Sequence, residues 1–188
     1  MENRKDPRLS PDAWVDAAYA AFEDGGVAAI RVDPLARKLG ITRGSFYWHF
    51  KDRNALLRAV VDRWQATSTE QEIETNEAAG GPPAERLLRL LRSCASDDGR
   101  FEISIRAWAT EDDEVGRIVR RIDTRRTDYM AQLMTEAGVA QDIARTRARV
   151  GYLAWLGLYM GAVPAGIDQR LSDMDCLWEM MLDTATPG

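Results

Sequence analysis

The chain has 188 residues, of which 45% are hydrophobic and 29% charged, and a net charge of −5. Those values exclude a disordered polymer and predict one or two small folded domains. The charge is unevenly spread: residues 1–54 hold nine Lys/Arg against eight Asp/Glu (+1), and the other 134 hold sixteen against twenty-two (−6). Any affinity for nucleic acid must therefore come from where the cations sit rather than from bulk charge.

Several function classes fall away at once. The single histidine, His49, leaves no Ser/His/Asp or Cys/His arrangement, and no phosphate-binding glycine loop or metal-ligand cluster is present, so no enzyme, cofactor or metal is expected. Cys94 and Cys176 have no CxxC spacing and read as two buried thiols in a reducing compartment. Met1 to Arg8 is polar rather than signal-like, which points to a cytoplasmic protein. Val150 to Ile167 is uncharged and approaches membrane-helix length, but four glycines and Pro164 interrupt it. A helix inside a bundle or dimer interface is the better reading, with no membrane partner.

Taken in order, residues 1–9 form a charged arm. Its Arg4, Lys5 and Arg8 are placed to reach DNA, although a disordered tail explains them as well. Ser10-Pro11 starts a first helix with Trp14, Ala17, Ala18, Ala21 and Phe22 as its apolar stripe, and Gly25-Gly26 ends it. Asp33 reads as the N-cap of a second helix, Pro34 as its first position and Gly40 as its stop. Thr42 then caps a third helix from about Arg43 to Phe50. Two helices joined by a short glycine turn make a helix-turn-helix.

In the third helix, Phe46 and Phe50 lie four apart and face inward. Its outer side carries Arg43, Gly44, Tyr47 and Trp48, with Ser45 and His49 beside them. Such a face suits a DNA major groove: Arg43 to read a guanine edge, Tyr47, His49 and Lys51 to bond phosphates, and Gly44 to admit a close backbone approach.

The run Gly40-Ile41-Thr42-Arg43-Gly44-Ser45-Phe46-Tyr47-Trp48-His49-Phe50-Lys51, followed by Asp52, Arg53 and Leu56-Leu57, resembles the DNA-binding signature of the TetR family of bacterial transcriptional regulators. The resemblance covers roughly Ser10 to Leu57 and is architectural beyond. It implies an all-helical homodimer, with an N-terminal three-helix operator-binding domain (1–54) and a C-terminal helical bundle for small-molecule sensing and dimerisation (55–188). The family often has Thr or Ser on a phosphate near the entry to the motif. Here Arg31 and Val32 stand there, with Arg31 taking the phosphate role.

A helix from Asn54 runs on towards Gln71, with Leu56, Leu57, Val60, Val61 and Trp64 apolar; touching both parts, it is a natural transmitter of ligand binding to the DNA-binding unit. Ala78 to Pro83 is a break. Helices follow at about Pro83–Ala95, Phe101–Ala109, Val115–Gly138, Asp142–Val163 (Asp142 as cap) and Ser172–Thr184. Glu111 to Glu114 reads as carboxylates at a helix start. Arg117, Arg120, Arg121, Arg125 and Arg126 read as a salt-bridged outer face.

Aromatics at helical spacing suggest a pocket walled by Trp64, Leu91, Ile105, Trp108, Tyr129, Met130, Tyr152 and Trp155. It would suit an apolar or planar compound, and no ligand charge can be inferred. Gly157 and Gly161 let backbones come close. With Leu153, Met160, Leu177, Trp178 and Met181 they are the expected dimer face, two helices from each chain making a four-helix interface.

Two regulator readings remain: a homodimeric repressor that an apolar or aromatic effector releases from double-stranded DNA, or a DNA-binding regulator, repressor or activator, that no small molecule controls.

Overall fold

The computed structural model describes residues 10–161 and 165–183, and among these it is helical with no strand. The expected N-terminal arm (1–9), the Val163 end of the penultimate long helix and Thr184 lie outside the described residues.

Ser10 caps α1 (Pro11–Ala29), its side chain accepting from the Ala13 N–H. The regular helix stops at the expected glycines. Gly26 has φ +59°, a left-handed conformation that costs glycine little. One further turn then carries Val27, and Ile30 enters the core.

Next come α2 (Val32–Leu39) and α3 (Arg43–His49). Asp33 is not the N-cap of α2. Arg31 is, in extended conformation, so Asp33 and Pro34 both fall in the first turn. Amides there have no helical partner, and Pro34 therefore forfeits no bond. Gly40 closes α2 in the left-handed conformation, φ +70°, as expected. Thr42 occupies the cap position of α3, but its side chain makes no capping bond.

Asp52 caps α4 (Arg53–Gln65), accepting from the Ala55 N–H at 2.8 Å. The rod does not stop near Gln71. It passes through a π-helical turn (Ala66–Glu70) into α5 (Gln71–Ala78). Within that turn the Thr67 and Ser68 hydroxyls donate back to the carbonyls of Arg63 and Trp64, at 2.9 and 2.6 Å. Ser/Thr back-bonding of this kind suits a locally widened helix.

The remaining helices are α6 (Pro83–Ser96), α7 (Arg100–Ala109), α8 (Asp113–Glu136), α9 (Gln141–Tyr159) and α10 (Ile167–Leu182). Asp112 caps α8, accepting from Glu114 and Val115 N–H groups. Ala140, not Asp142, precedes α9, and α10 begins five residues before Ser172.

Two apolar clusters organise these helices. The first joins Trp14, Phe22, Phe46, Leu56, Val60 and Trp64 to Phe101, Ile105, Val119 and Ile122. Helix α1 thus packs on both the helix-turn-helix and α7, and the cluster crosses residue 54 without a break. Trp14 meets Phe46 edge-on at 5.2 Å, and Phe46 stacks on Phe50 at 5.5 Å. Arg53 ties the start of α4 back to the approach to α2, its Nε donating to the Ile30 carbonyl at 2.6 Å and its Nη2 to that of Val27. The second cluster gathers Leu87, Leu91, Leu133, Met134, Trp155 and Met181.

The expected dimer face divides. Val150 and Leu153 on α9, Met160 at its C-terminal cap and Met180 on α10 are each more than half exposed. Nothing crowds Gly157 within 4 Å, Gly161 is exposed and Leu177 half-buried. Two residues leave that face. Met181 is only 2% exposed, and its sulfur lies where a Cβ on Gly151 would come within 2.7 Å. Trp178 turns inward, its Nε1 donating to the Ala84 carbonyl at 2.7 Å. The helices α6 and α10 are also joined by a two-pronged Arg92–Asp175 bond, both contacts 2.7 Å. Cys176 is exposed, contrary to expectation, because it sits on the outer side of α10, while Cys94 is half-buried.

Candidate DNA interface and effector cavity

Helix α3 presents Arg43, Gly44, Tyr47 and Trp48 to solvent, and Arg31, Thr42 and Lys51 are exposed around it. Tyr47 is 53% and Trp48 76% exposed, unusual for large rings that do no more than face water. Arg43 is already engaged: its Nη2 donates to Tyr47 Oη at 3.1 Å, and its Nε lies 3.7 Å from an Asp33 carboxylate oxygen. The tyrosine bond and then the Asp33 charge hold its pKa above the ordinary value. A Cβ at Gly44 would meet only Thr42 Oγ1, at 3.6 Å, so the outer side of the backbone there is open. Ser45 and His49 are half-buried. Ser45 Oγ and His49 Nε2 are covered by protein and make no hydrogen bond, which turns these two away from the outward role expected of them.

Beyond the rod lies a cavity of 320 Å³, at the lower end of the range for small-molecule sites. Trp64, Leu91, Tyr129, Met130, Tyr152 and Trp155 line it, as do Tyr19, Phe101 and Tyr159. Two expected lining residues do not. Ile105 is fully buried in the first apolar cluster, and Trp108 packs towards Phe22 at 6.0 Å and lines a separate 300 Å³ hollow between α4 and α8.

The wall is more ionic than the aromatic pattern suggested. Arg126 is not on the outer face of α8; its side chain is 11% exposed. Its guanidinium lies between the rings of Trp64 and Trp155, 5.4 and 5.3 Å from their centroids. Arg126 Nε donates to Thr69 Oγ1 at 3.0 Å, and Nη1 to Glu102 Oε2 at 3.1 Å and Tyr152 Oη at 3.3 Å. Nη2 reaches Ser68 Oγ at 3.2 Å. Burial alone would lower its pKa, but Glu102 and Tyr152 more than offset that and hold it above the usual arginine value. Arg106 closes the network, bonding Glu102 and Asp123 at 2.6 Å each and Tyr152 Oη at 3.0 Å. Burial, first of all, pushes the Cys94 thiol and the Tyr19 phenol up to about 12, so both stay protonated near neutrality.

The decisive comparison concerns the N-terminal part. The family model described as "Bacterial regulatory proteins, tetR family" matches residues 15–60, which span most of α1 through α4. Residues 15–60 thus match the DNA-binding region of the TetR family. The chain is 30% identical over 90 residues to the HTH-type transcriptional regulator AcrR of Shigella flexneri. That match covers 46% of the chain and 42% of AcrR, so the chain spans under half the length of this relative. Its fold is shared with a TetR-family regulator structure from Mesorhizobium loti (TM-score 0.73, 18% identity, covering 96% of this chain and 98% of that one). It is also shared with SmeT, the repressor of the Stenotrophomonas maltophilia multidrug efflux pump SmeDEF (TM-score 0.62, 23% identity, 95% and 89%). The family match centres on α2 to α4 and does not reach the cavity walls beyond Val60. No helix among the described residues is long and apolar enough to cross a membrane.

Proposed function

We propose that this chain is a cytoplasmic, homodimeric repressor that binds double-stranded operator DNA through α3 and is released by a small apolar or aromatic effector. Residues 1–54 serve the operator; residues 55–188 sense the effector and hold the dimer. One observation carries the reading. The rod from Arg53 to Ala78 is shared: Leu56 and Leu57 at one end are buried against the helix-turn-helix, and Trp64, Ser68, Thr69, Glu72 and Ile73 at the other wall the cavity.

A ligand in the cavity meets Arg126 and its two tryptophans. Displacing Arg126 frees Ser68 and Thr69 in the π-helical turn, and a π-turn that reverts to α-helical pitch rotates whatever lies above it. The element with two states is thus the rod, biased at one end by ligand and at the other by DNA. The exposed Val150 and Leu153 on α9 and Met160 at its end, with Met180 on α10, support pairing of two copies. Such a pair sets two α3 helices on successive major grooves.

The test is a fluorescence-anisotropy titration of the chain on duplexes selected from a random pool, repeated with a library of aromatic compounds. Specific binding that one compound weakens at least tenfold supports the reading. Specific binding that no compound touches leaves a regulator without effector control.

A further inference from the structure

The ionic wall of the cavity does not balance. Arg106 and Arg126 are matched by Glu102 and Asp123, two charges against two, all within one hydrogen-bonded network. Glu23 from α1 and Glu72 from α5 also line the cavity, and neither has an ion-pair or hydrogen-bond partner among the described residues. The cation that acts on Glu23 is Arg100, which is already bonded to Asp98 at 2.7 Å and Asp24 at 2.9 Å. The carboxylate of Asp97, also on the lining, accepts from the Gly99 N–H at 2.6 Å, and its backbone carbonyl accepts from Arg170.

An anion would find no free cation here. Arg126 is the one cation among the described residues of the wall. Its guanidinium already lies over two tryptophan rings, and each of its three nitrogens donates to protein. A half-buried carboxylate without a counterion is costly, and burial is the first cause holding the Glu23 pKa above 4.5. Aromatic faces add to the same preference, since a ring presents its negative side to a cation. Tyr19 and Phe101, stacked at 4.2 Å, lie on this wall.

We propose that the cavity binds lipophilic organic cations bearing aromatic groups, with Glu23 and Glu72 as their counter-charges. The proposal rests on this cavity being the effector site, and its test separates the two claims.

Calorimetry on the full chain compares tetraphenylphosphonium with the neutral triphenylphosphine oxide and the anionic, equally shaped tetraphenylborate. The cation is expected to bind at least tenfold tighter than either. Glu23→Gln and Glu72→Gln are each expected to weaken it about tenfold, as loss of one partly screened charge pair would, while leaving the oxide unchanged. Circular dichroism melts confirm that both variants fold. Equal or tighter binding of the oxide or the borate overturns the proposal, as does cation affinity that survives the Glu23/Glu72 double substitution. Failure of all three probes to bind also overturns it, and the compound library on the DNA complex then decides the effector reading by itself. Cation binding that leaves the DNA complex intact upholds the cation site and contradicts the effector reading.

Discussion

Arg126 Nε donates to Thr69 Oγ1 at 3.0 Å, so a buried cation on α8 is fastened to the π-helical turn of the rod that ends at the helix-turn-helix. The same guanidinium reaches Glu102 on α7 and Tyr152 on α9. Four helical segments thus meet on one side chain.

Cutting that junction should cost stability in a particular way. Arg126→Met leaves Glu102 with Arg106 alone and is expected to lower unfolding free energy by about 3 kcal/mol, the low end for breaking a buried pair. Adding Glu102→Gln should recover part of the loss, because the stranded carboxylate disappears. Urea denaturation of both single variants and the double variant gives the coupling, and strictly additive losses would contradict a shared network.

Gly99 packs directly against the ring of Tyr159, which lines the cavity. Its φ is +70°, and a Cβ there would sit 2.1 Å from the Tyr159 ring. Gly99→Ala should therefore destabilise the chain by about 2–4 kcal/mol, combining backbone strain with overpacking. It should also displace Tyr159, whose hydroxyl donates to the Cys94 carbonyl at 2.8 Å, and weaken every cavity ligand. A melting temperature within 1 °C of wild type, where about 4 °C or more is expected for this size, would show that the ring has room to move.

On the DNA side, Asp33 holds Arg43 at 3.7 Å while both are largely exposed. Asp33→Asn should tighten DNA binding by about 0.2–1 kcal/mol, the usual size of an exposed pair, since Arg43 is freed and a negative charge leaves the phosphate-facing surface. Weaker binding would mean that Asp33 orients Arg43 productively.

Stability against pH should report Glu23. Burial raises its pKa in the fold above its ordinary 4.5. Its ionised form therefore opposes folding: there is no penalty below 4.5, and a penalty grows as pH rises through the folded value. Glu23→Gln should melt higher than wild type at pH 7, and the difference should vanish as pH falls below 4.5. A variant that melts lower at pH 7 would mean that Glu23 has a stabilising partner.

Much of this architecture was legible in the residues. The four-residue spacing of Phe46 and Phe50 gave the inner side of α3, and Gly40 marked the left-handed stop of α2. Six of the eight expected lining residues meet at the cavity because aromatic spacing identifies a helix's buried side. That spacing does not say which of two hollows the side borders, so Ile105 and Trp108 went elsewhere. Arg126 was hidden for a related reason. Among four other arginines on α8 it looks like part of a solvated face, and its partners lie 24 to 58 residues away in sequence. The surplus of Glu23 and Glu72 emerges only once the folded network has matched the other charges. Met181 and Trp178 left the expected dimer face because Gly151 and Ala84 offered them places inside the chain.

The central claim, that α3 is the DNA-reading helix of a paired regulator, is tested most directly by selecting duplexes from a random pool with wild-type, Arg43→Ala and Tyr47→Ala chains. The account predicts a near-palindromic wild-type site with half-sites about 34–36 Å apart, or a multiple of that. Arg43→Ala should lose preference at one or two base positions, about 1–3 kcal/mol, and Tyr47→Ala should weaken all sequences alike. No enriched site, or an unchanged site and affinity in both variants, would contradict it.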